Sequence, residues 1–260
     1  MYPIMLWFQS PRLITGDTLL VMIVGVVAYS PLTLLPLFLQ NVMGYTALQS
    51  GYAQSPRGLG SLIAFPLVGL LTRTIDGRKL MVVGVLLCGV AALMMGNLNL
   101  EVAKRNFILA NFLQGAGLAL TFAPLAAITM GMLSPDQMGT GTGLFNLMRN
   151  LGGGLGISLV TTMIARRSQS HQAILVAHLT PYDSAYESAL HTSQSALAPH
   201  AGPVQASLMA PQMIYASLVQ QSSILAYIDD FRWLALLSFL SLPIVLLLKR
   251  VTNKRSVSVH

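Results

Sequence analysis

Apolar residues along this chain come in long continuous blocks rather than in alternation. Six blocks stand out: residues 18–40, 47–71, 80–98, 106–133, 140–164 and 231–248. Each is close to the roughly 20 residues that an α-helix needs to cross a bilayer core. Barrel strands would instead alternate inward and outward positions over about ten residues. The pattern therefore predicts an all-α polytopic membrane protein with six transmembrane helices. Polar breaks separate the blocks. The first, between blocks two and three, packs Arg73, Asp76, Arg78 and Lys79 into seven residues. Residues 99–105 and 134–139 form two more short breaks. Residues 1–17, with Pro3 and Pro11, read as a cytoplasmic lead-in, and residues 249–260 as a basic cytoplasmic tail. Residues 165–230 separate blocks five and six and are rich in Ser, Ala, Gln and Pro. They read as an extracytoplasmic loop with short helices at 172–179 and near 207–227, and otherwise loose.

Charge orients the spans. Only 9% of residues are charged and 54% are hydrophobic, whereas a soluble domain carries about 25% charged residues. The net charge of +7 would point to nucleic acid in a soluble protein. Here the basic residues flank apolar blocks, so they read as topology signals and contacts for anionic headgroups, with no nucleic-acid partner. Arg12, Arg73, Arg78, Lys79, Lys249, Arg250, Lys254 and Arg255 fall on one side; Lys104, Arg105, Arg166 and Arg167 fall on the other. No lysine or arginine occurs from 168 to 230. The excess places both termini in the cytoplasm. The apolar patch at residues 4–8 follows no basic segment and leads to no clear cleavage site, so it does not read as a cleavable signal. The lone Cys88 lies in an apolar block and reads as a packing residue.

Pro31 and Pro36 each remove a backbone donor, which predicts a kinked or unwound second half of the first helix. All eight acids, Asp17, Asp76, Glu101, Asp136, Asp183, Glu187, Asp229 and Asp230, fall outside the depths of the blocks. Two arginines, Arg57 and Arg149, do not. An arginine at mid-bilayer costs at least about 2.5–3.5 kcal/mol, so it faces a cavity, a partner or the headgroups. The chain offers no buried carboxylate for that role. Carbonyls, Asn146, Asn150 and lipid phosphate remain, or an anion from another polypeptide segment or the cargo. Gln40, Asn111 and Gln114 add polar amides to other spans, so the candidate cavity residues are Gln40, Arg57, Asn111, Gln114, Asn146, Arg149 and Asn150. Gly152 and Gly156 have the spacing that lets another helix approach closely. No metal-ligand spacing, phosphate loop or catalytic triad pattern is present, and the chain does not read as an enzyme.

Three stretches carry a resemblance to a known family: LLPLFLQNVMGYTALQSGYAQSPRGLG (34–60), GLLTRTIDGRK (69–79) and FNLMRNLGGGLGIS (145–158). Together with YIDDFRWLAL (227–236) they resemble the C-terminal half of a major facilitator transporter, of the fourteen-span EmrB/QacA drug:proton antiporter type. The resemblance covers nearly everything after Gly16. It implies half of a major facilitator bundle, built as a three-plus-three inverted repeat. It further implies proton-coupled efflux of hydrophobic or cationic compounds across a bacterial inner membrane, with no cofactor beyond the proton gradient. Under it, Asp76, Arg78 and Lys79 belong to a cytoplasmic gating hinge. The partners it implies are the lipid bilayer, a small cargo, an N-terminal transporter half and a periplasmic adaptor. Arg73 departs from the pattern, because the superfamily's hinge has an aspartate there. The residues alone also leave open an exporter of one metabolite, or a half-size membrane subunit that transports nothing.

Overall fold

The computed structural model describes residues 11–97, 104–131, 135–180 and 182–247. The first ten lead-in residues, most of the 99–105 break, Ser134 and the basic tail lie outside the described residues. Among those described there are seven α-helices and no strand. They are α1 (Pro11–Leu37), α2 (Ala47–Leu71), α3 (Gly77–Met95), α4 (Lys104–Gly131), α5 (Met138–Val176), α6 (Ser184–Ala201) and α7 (Pro203–Leu247).

Local chemistry sets several of these boundaries. α1 runs through Pro31 and Pro36 and then widens into a π-helical turn, Phe38–Val42. The two missing proline donors loosen the ladder just before that turn. Gly44 then reverses the chain at φ +69°. Thr46 starts α2 with a reciprocal capping box: its hydroxyl accepts from the Gln49 amide at 3.3 Å, and its own amide donates to Gln49 Oε1 at 2.9 Å. Asp76 caps α3, accepting from the Arg78 amide at 3.3 Å. Asp183 caps α6 in the same way through the Ala185 amide at 2.9 Å.

Packing does not follow chain order. α1 lies mainly against α5, and α2 against α4, while the sequential pairs α1/α2 and α4/α5 barely touch. α3 packs on α4 and α7; α7 packs on α3, α5 and α6. Exchanging α1 with α4 and α2 with α5 carries the α1–α5 contact onto the α2–α4 contact, whereas the α5–α7 contact has no counterpart between α2 and α3. One buried apolar cluster joins α1 and its π-turn to α3, α4, α5 and α7 around Leu35, Phe38, Met95 and Phe231. A second lies toward the other end of the bundle around Met81, Val85 and Leu125.

Among the described residues, three stretches are long and apolar enough to cross a membrane: Val21–Val42, Gly77–Met95 and Phe107–Gly131. They coincide with blocks one, three and four.

Two expectations need correction. Residues 165–230 are not a loose loop with short helices. α5 continues past Ile164 to Val176, and α7 is one 45-residue helix that begins at Pro203 and runs through Asp230 without a break. At 1.5 Å per residue it extends about 67 Å, about twice the thickness of a bilayer core. The Ala, Gln and Leu that looked merely polar and small are good helix formers, and no glycine interrupts residues 203–247. The second correction concerns the acids. Asp230 falls at the edge of the sixth apolar block, where no buried acid is expected; it is only 1% exposed.

Candidate functional site

Arg57 and Arg149 each open the same short pattern, Arg-x-Leu-Gly, at residues 57–60 on α2 and 149–152 on α5. The structure gives the two copies the same seat. On α2, the Arg57 carbonyl lies against Gly115 of α4, and Gly60 lies against the Phe112 carbonyl. On α5, a Cβ at Gly25 of α1 would stand 2.6 Å from the Arg149 carbonyl, and Gly152 lies against the Met22 carbonyl. In both seats the Arg-to-Gly step is three residues, and so is the step on the facing helix, from 115 to 112 and from 25 to 22. No side chain fits between the backbones at these four glycines. Gly156 extends the α5 contact, with a Cβ there meeting the Val26 Cα at 2.9 Å. Gly152 and Gly156 therefore sit at the α1 crossing. The pattern was readable in the sequence as two copies of Arg-x-Leu-Gly; at four residues with one wildcard it was too short to register as a repeat.

The guanidinium groups differ. Arg57 is 7% exposed, and its Nε, Nη1 and Nη2 are buried with no hydrogen-bond partner. On α4, Asn111 and Gln114 are fully buried. Asn111 donates to the Phe107 carbonyl at 3.1 Å but leaves its Oδ1 unpartnered; neither amide atom of Gln114 has a partner. Ser61 ties α2 to α4 by donating to the Gly115 carbonyl at 3.0 Å. Arg149 is half-buried. Its Cζ stands 5.9 Å over the Phe122 ring of α4, a cation–π distance, and only its Nε is both buried and unpartnered.

The seven candidate cavity residues thus fall into groups. Arg57 lies on α2, and Asn111 and Gln114 lie on α4, the helix it packs against; all three are buried. Asn146, Arg149 and Asn150 share one stretch of α5, with Asn146 half-buried and Asn150 exposed. Gln40 is exposed on the π-turn and joins neither group. A void of about 10 Å³ among α1, α3, α4 and α7, lined by Cys88, Thr121 and Ser241, is large enough for about one water and is no cargo chamber.

At the hinge, Thr72–Asp76 forms the tight turn between α2 and α3. Arg73 and Lys79 are exposed there. Arg78 is half-buried, with Nε and Nη2 unpartnered. Among the described residues no group of three or more His, Cys, Asp or Glu is placed to hold a metal ion.

The sequence profile of the Major Facilitator Superfamily matches residues 3–157, more than half of the chain. Fatty acid resistance protein FarB of Neisseria gonorrhoeae is 35% identical over 167 residues, covering 64% of this chain and 33% of FarB. Multidrug export protein EmrB of Haemophilus influenzae is 31% identical over 215 residues, covering 82% of this chain and 40% of EmrB. The uncharacterised MFS-type transporter YhcA of Bacillus subtilis is 26% identical over 238 residues, covering 90% of this chain and 44% of YhcA. The chain therefore spans less than half the length of these curated relatives.

Proposed function

Because the chain belongs to the Major Facilitator Superfamily, we propose that it forms one six-span half of a proton-driven multidrug exporter. The half sits in the bacterial inner membrane with both termini in the cytoplasm, and moves hydrophobic or cationic compounds outward. α2, α5 and the C-terminal part of α7 join the three more apolar spans across the bilayer. A second, N-terminal half completes the cavity, and α1, α2, α4 and α5 form this half's share of its wall. The two halves rock against each other, with Asp76, Arg78 and Lys79 in the gating hinge. The proton gradient supplies the energy with no cofactor. A periplasmic adaptor is the natural partner for the helical segment that this topology leaves outside.

One observation carries this reading. α2 packs almost wholly on α4, and α5 turns Asn150, Ser158 and Thr161 outward. A polar strip on a helix in lipid is costly, and it suits a second half and a wet cavity between the two. A second reading, export of a single anionic amphiphile, is favoured by the unpartnered guanidinium of Arg57, which suits a carboxylate. The relative FarB is named for fatty acid resistance.

The test uses a bacterial strain stripped of its own exporters and expressing the chain with its complementary half. Protection against several unrelated drugs, abolished by an uncoupler, supports the first reading. Protection against long-chain carboxylic acids alone supports the second. No protection, with both halves present in the membrane, removes the transport reading and leaves a subunit that transports nothing.

A further inference from the structure

At the outer edge of the last span, α7 carries two consecutive acids with opposite surroundings. Asp229 is paired twice: Arg167 Nη1 of α5 lies 2.9 Å from its Oδ2, and His171 Nε2 lies 3.0 Å from the same oxygen. Arg167 also stands 5.8 Å over the Trp233 ring, which fixes it on the Asp229 side. Asp230 has none of this. It is 1% exposed, and both carboxylate oxygens are buried without a hydrogen-bond partner. Its neighbours along α7, Ala226, Tyr227, Phe231 and Leu234, are all buried. Tyr227, Phe231 and Leu234 belong to the apolar cluster that packs against Phe38, Leu39 and Val42 of the π-turn.

An ionised carboxylate in such a place is expensive, and the ordinary way to relieve the cost is to bind a proton. We propose that Asp230 is a reversible proton-binding site at the extracytoplasmic end of this half, loaded from the outer aqueous side. This assignment rests on the proton-coupled reading above and names the residue that takes the proton in. The chemistry is simple: a proton from the outer solution bonds to one Oδ of Asp230, and the same O–H bond breaks when the proton leaves.

The charged and titratable groups around Asp230 set its behaviour. From α5, the Arg167 charge reaches it and favours the ionised form; from α7 itself, Asp229 opposes ionisation. His171 faces Asp229 rather than Asp230. Toward α3, Arg232 turns away and donates from Nε to the Gly96 carbonyl at 3.1 Å. Toward the π-turn, Tyr227 is coupled to both Asn41 and Asp230. Burial dominates, and the Asp230 carboxyl is pushed up to about 7. That lies within the range in which an outer compartment more acidic than the cytoplasm changes its occupancy.

Two contacts tie α7 to the π-turn on the same part of the helix as the site. Gln220 of α7 donates to the Val42 carbonyl of the π-turn at 2.8 Å, and the Phe38 and Tyr227 rings meet edge-on at 5.3 Å. A neutral Asp230 leaves this apolar contact intact; an ionised one draws water into it. Proton occupancy therefore favours the packing of α7 on the π-turn.

The experiment is an infrared pH titration of the protein in liposomes between about pH 5 and 9, reading the protonated-carboxyl band. The expected result is a band that disappears with a midpoint near 7 and is absent in Asp230→Asn. Asp229→Asn is expected to move the midpoint down, since it removes a repelling charge and frees Arg167. Arg167→Gln is expected to move it up. These opposite shifts are readouts that a purely structural Asp230 would not give. A band unchanged in Asp230→Asn, or one that titrates nowhere in that range, overturns the assignment. The titration needs no cargo, so it separates the site from the transport reading. A titrating Asp230 in a protein whose efflux ignores the proton gradient removes the antiport reading alone. Cargo-driven proton exchange that persists in Asp230→Asn removes Asp230 alone.

Discussion

The Arg57 and Arg149 seats are built alike and filled differently. Backbone geometry is shared: carbonyl against glycine, glycine against carbonyl, three residues apart on both helices. The environments of the guanidinium groups are not. Arg149 has an aromatic ring beneath it and is half-buried; Arg57 is buried with no hydrogen-bond partner. The shared part makes the fold, because helices that cross at backbone contact need glycine there. The differing part is not needed for folding, since an unpartnered buried charge only costs stability. A cost that the scaffold does not require is a mark of function.

The comparison breaks first at the glycines. Gly115→Leu on α4 and Gly25→Leu on α1 should each force a crossing apart, at about 3 kcal/mol or more, near the top of the range for overpacking. Gly154→Leu on α5 meets nothing within 4 Å and serves as the control. Unfolding in mixed micelles checks all three. If Gly115→Leu matches Gly154→Leu, the crossing has been misread.

The next effect is one of pH. The Asp230 carboxyl is raised in the folded protein, whereas an unfolded aspartate titrates near 4. Across the window from about pH 4 to 7 the folded state holds a proton that the unfolded state has lost, so this acid's contribution falls as pH rises and is flat above. Asp229 has the opposite sign. Burial raises it, but the hydrogen bonds and charges of His171 and Arg167 outweigh burial and hold it below its ordinary range. Its contribution is present above the unfolded value and lost as pH falls through the folded one. Stability-versus-pH curves should therefore lose their downward limb in Asp230→Asn and their acid-side loss in Asp229→Asn.

Smaller changes sharpen the contrast between the arginines. Phe122→Leu removes the ring under Arg149 and should cost about 1 kcal/mol beyond its lost packing. Combined with Arg149→Leu, that excess should vanish, which a double-mutant cycle measures. At the small end, Thr46→Ala removes the capping box of α2 and should cost about 1 kcal/mol without affecting either arginine.

The sequence made the helices legible where apolar blocks were long and bounded by charge. Blocks one, three and four coincide with helices fit to cross a membrane, and the Thr72–Asp76 turn falls within the predicted hinge. Both arginines stood out because a charge inside an apolar block is visible by inspection. Residues 165–230 read as loop because Ser, Ala and Gln are equally at home in exposed helices and in loops, and neither a helical period nor a charge pattern separates the two. The burial of Asp230 was hidden for another reason. It depends on the π-turn of α1, some 190 residues away in sequence, folding over α7. The equivalence of the two seats is likewise a tertiary fact, since it lies in which carbonyl meets which glycine.

The most direct test of the central claim compares Arg57→Leu with Arg149→Leu for unfolding free energy and for efflux in the same membranes. Removing an uncompensated buried charge should stabilise the Arg57 variant by about 2 kcal/mol, while efflux is lost. Arg149→Leu should change stability by less than half as much, because its ring contact offsets part of its cost. An Arg57→Leu protein that is no more stable than the parent, or one that still exports, would contradict the account.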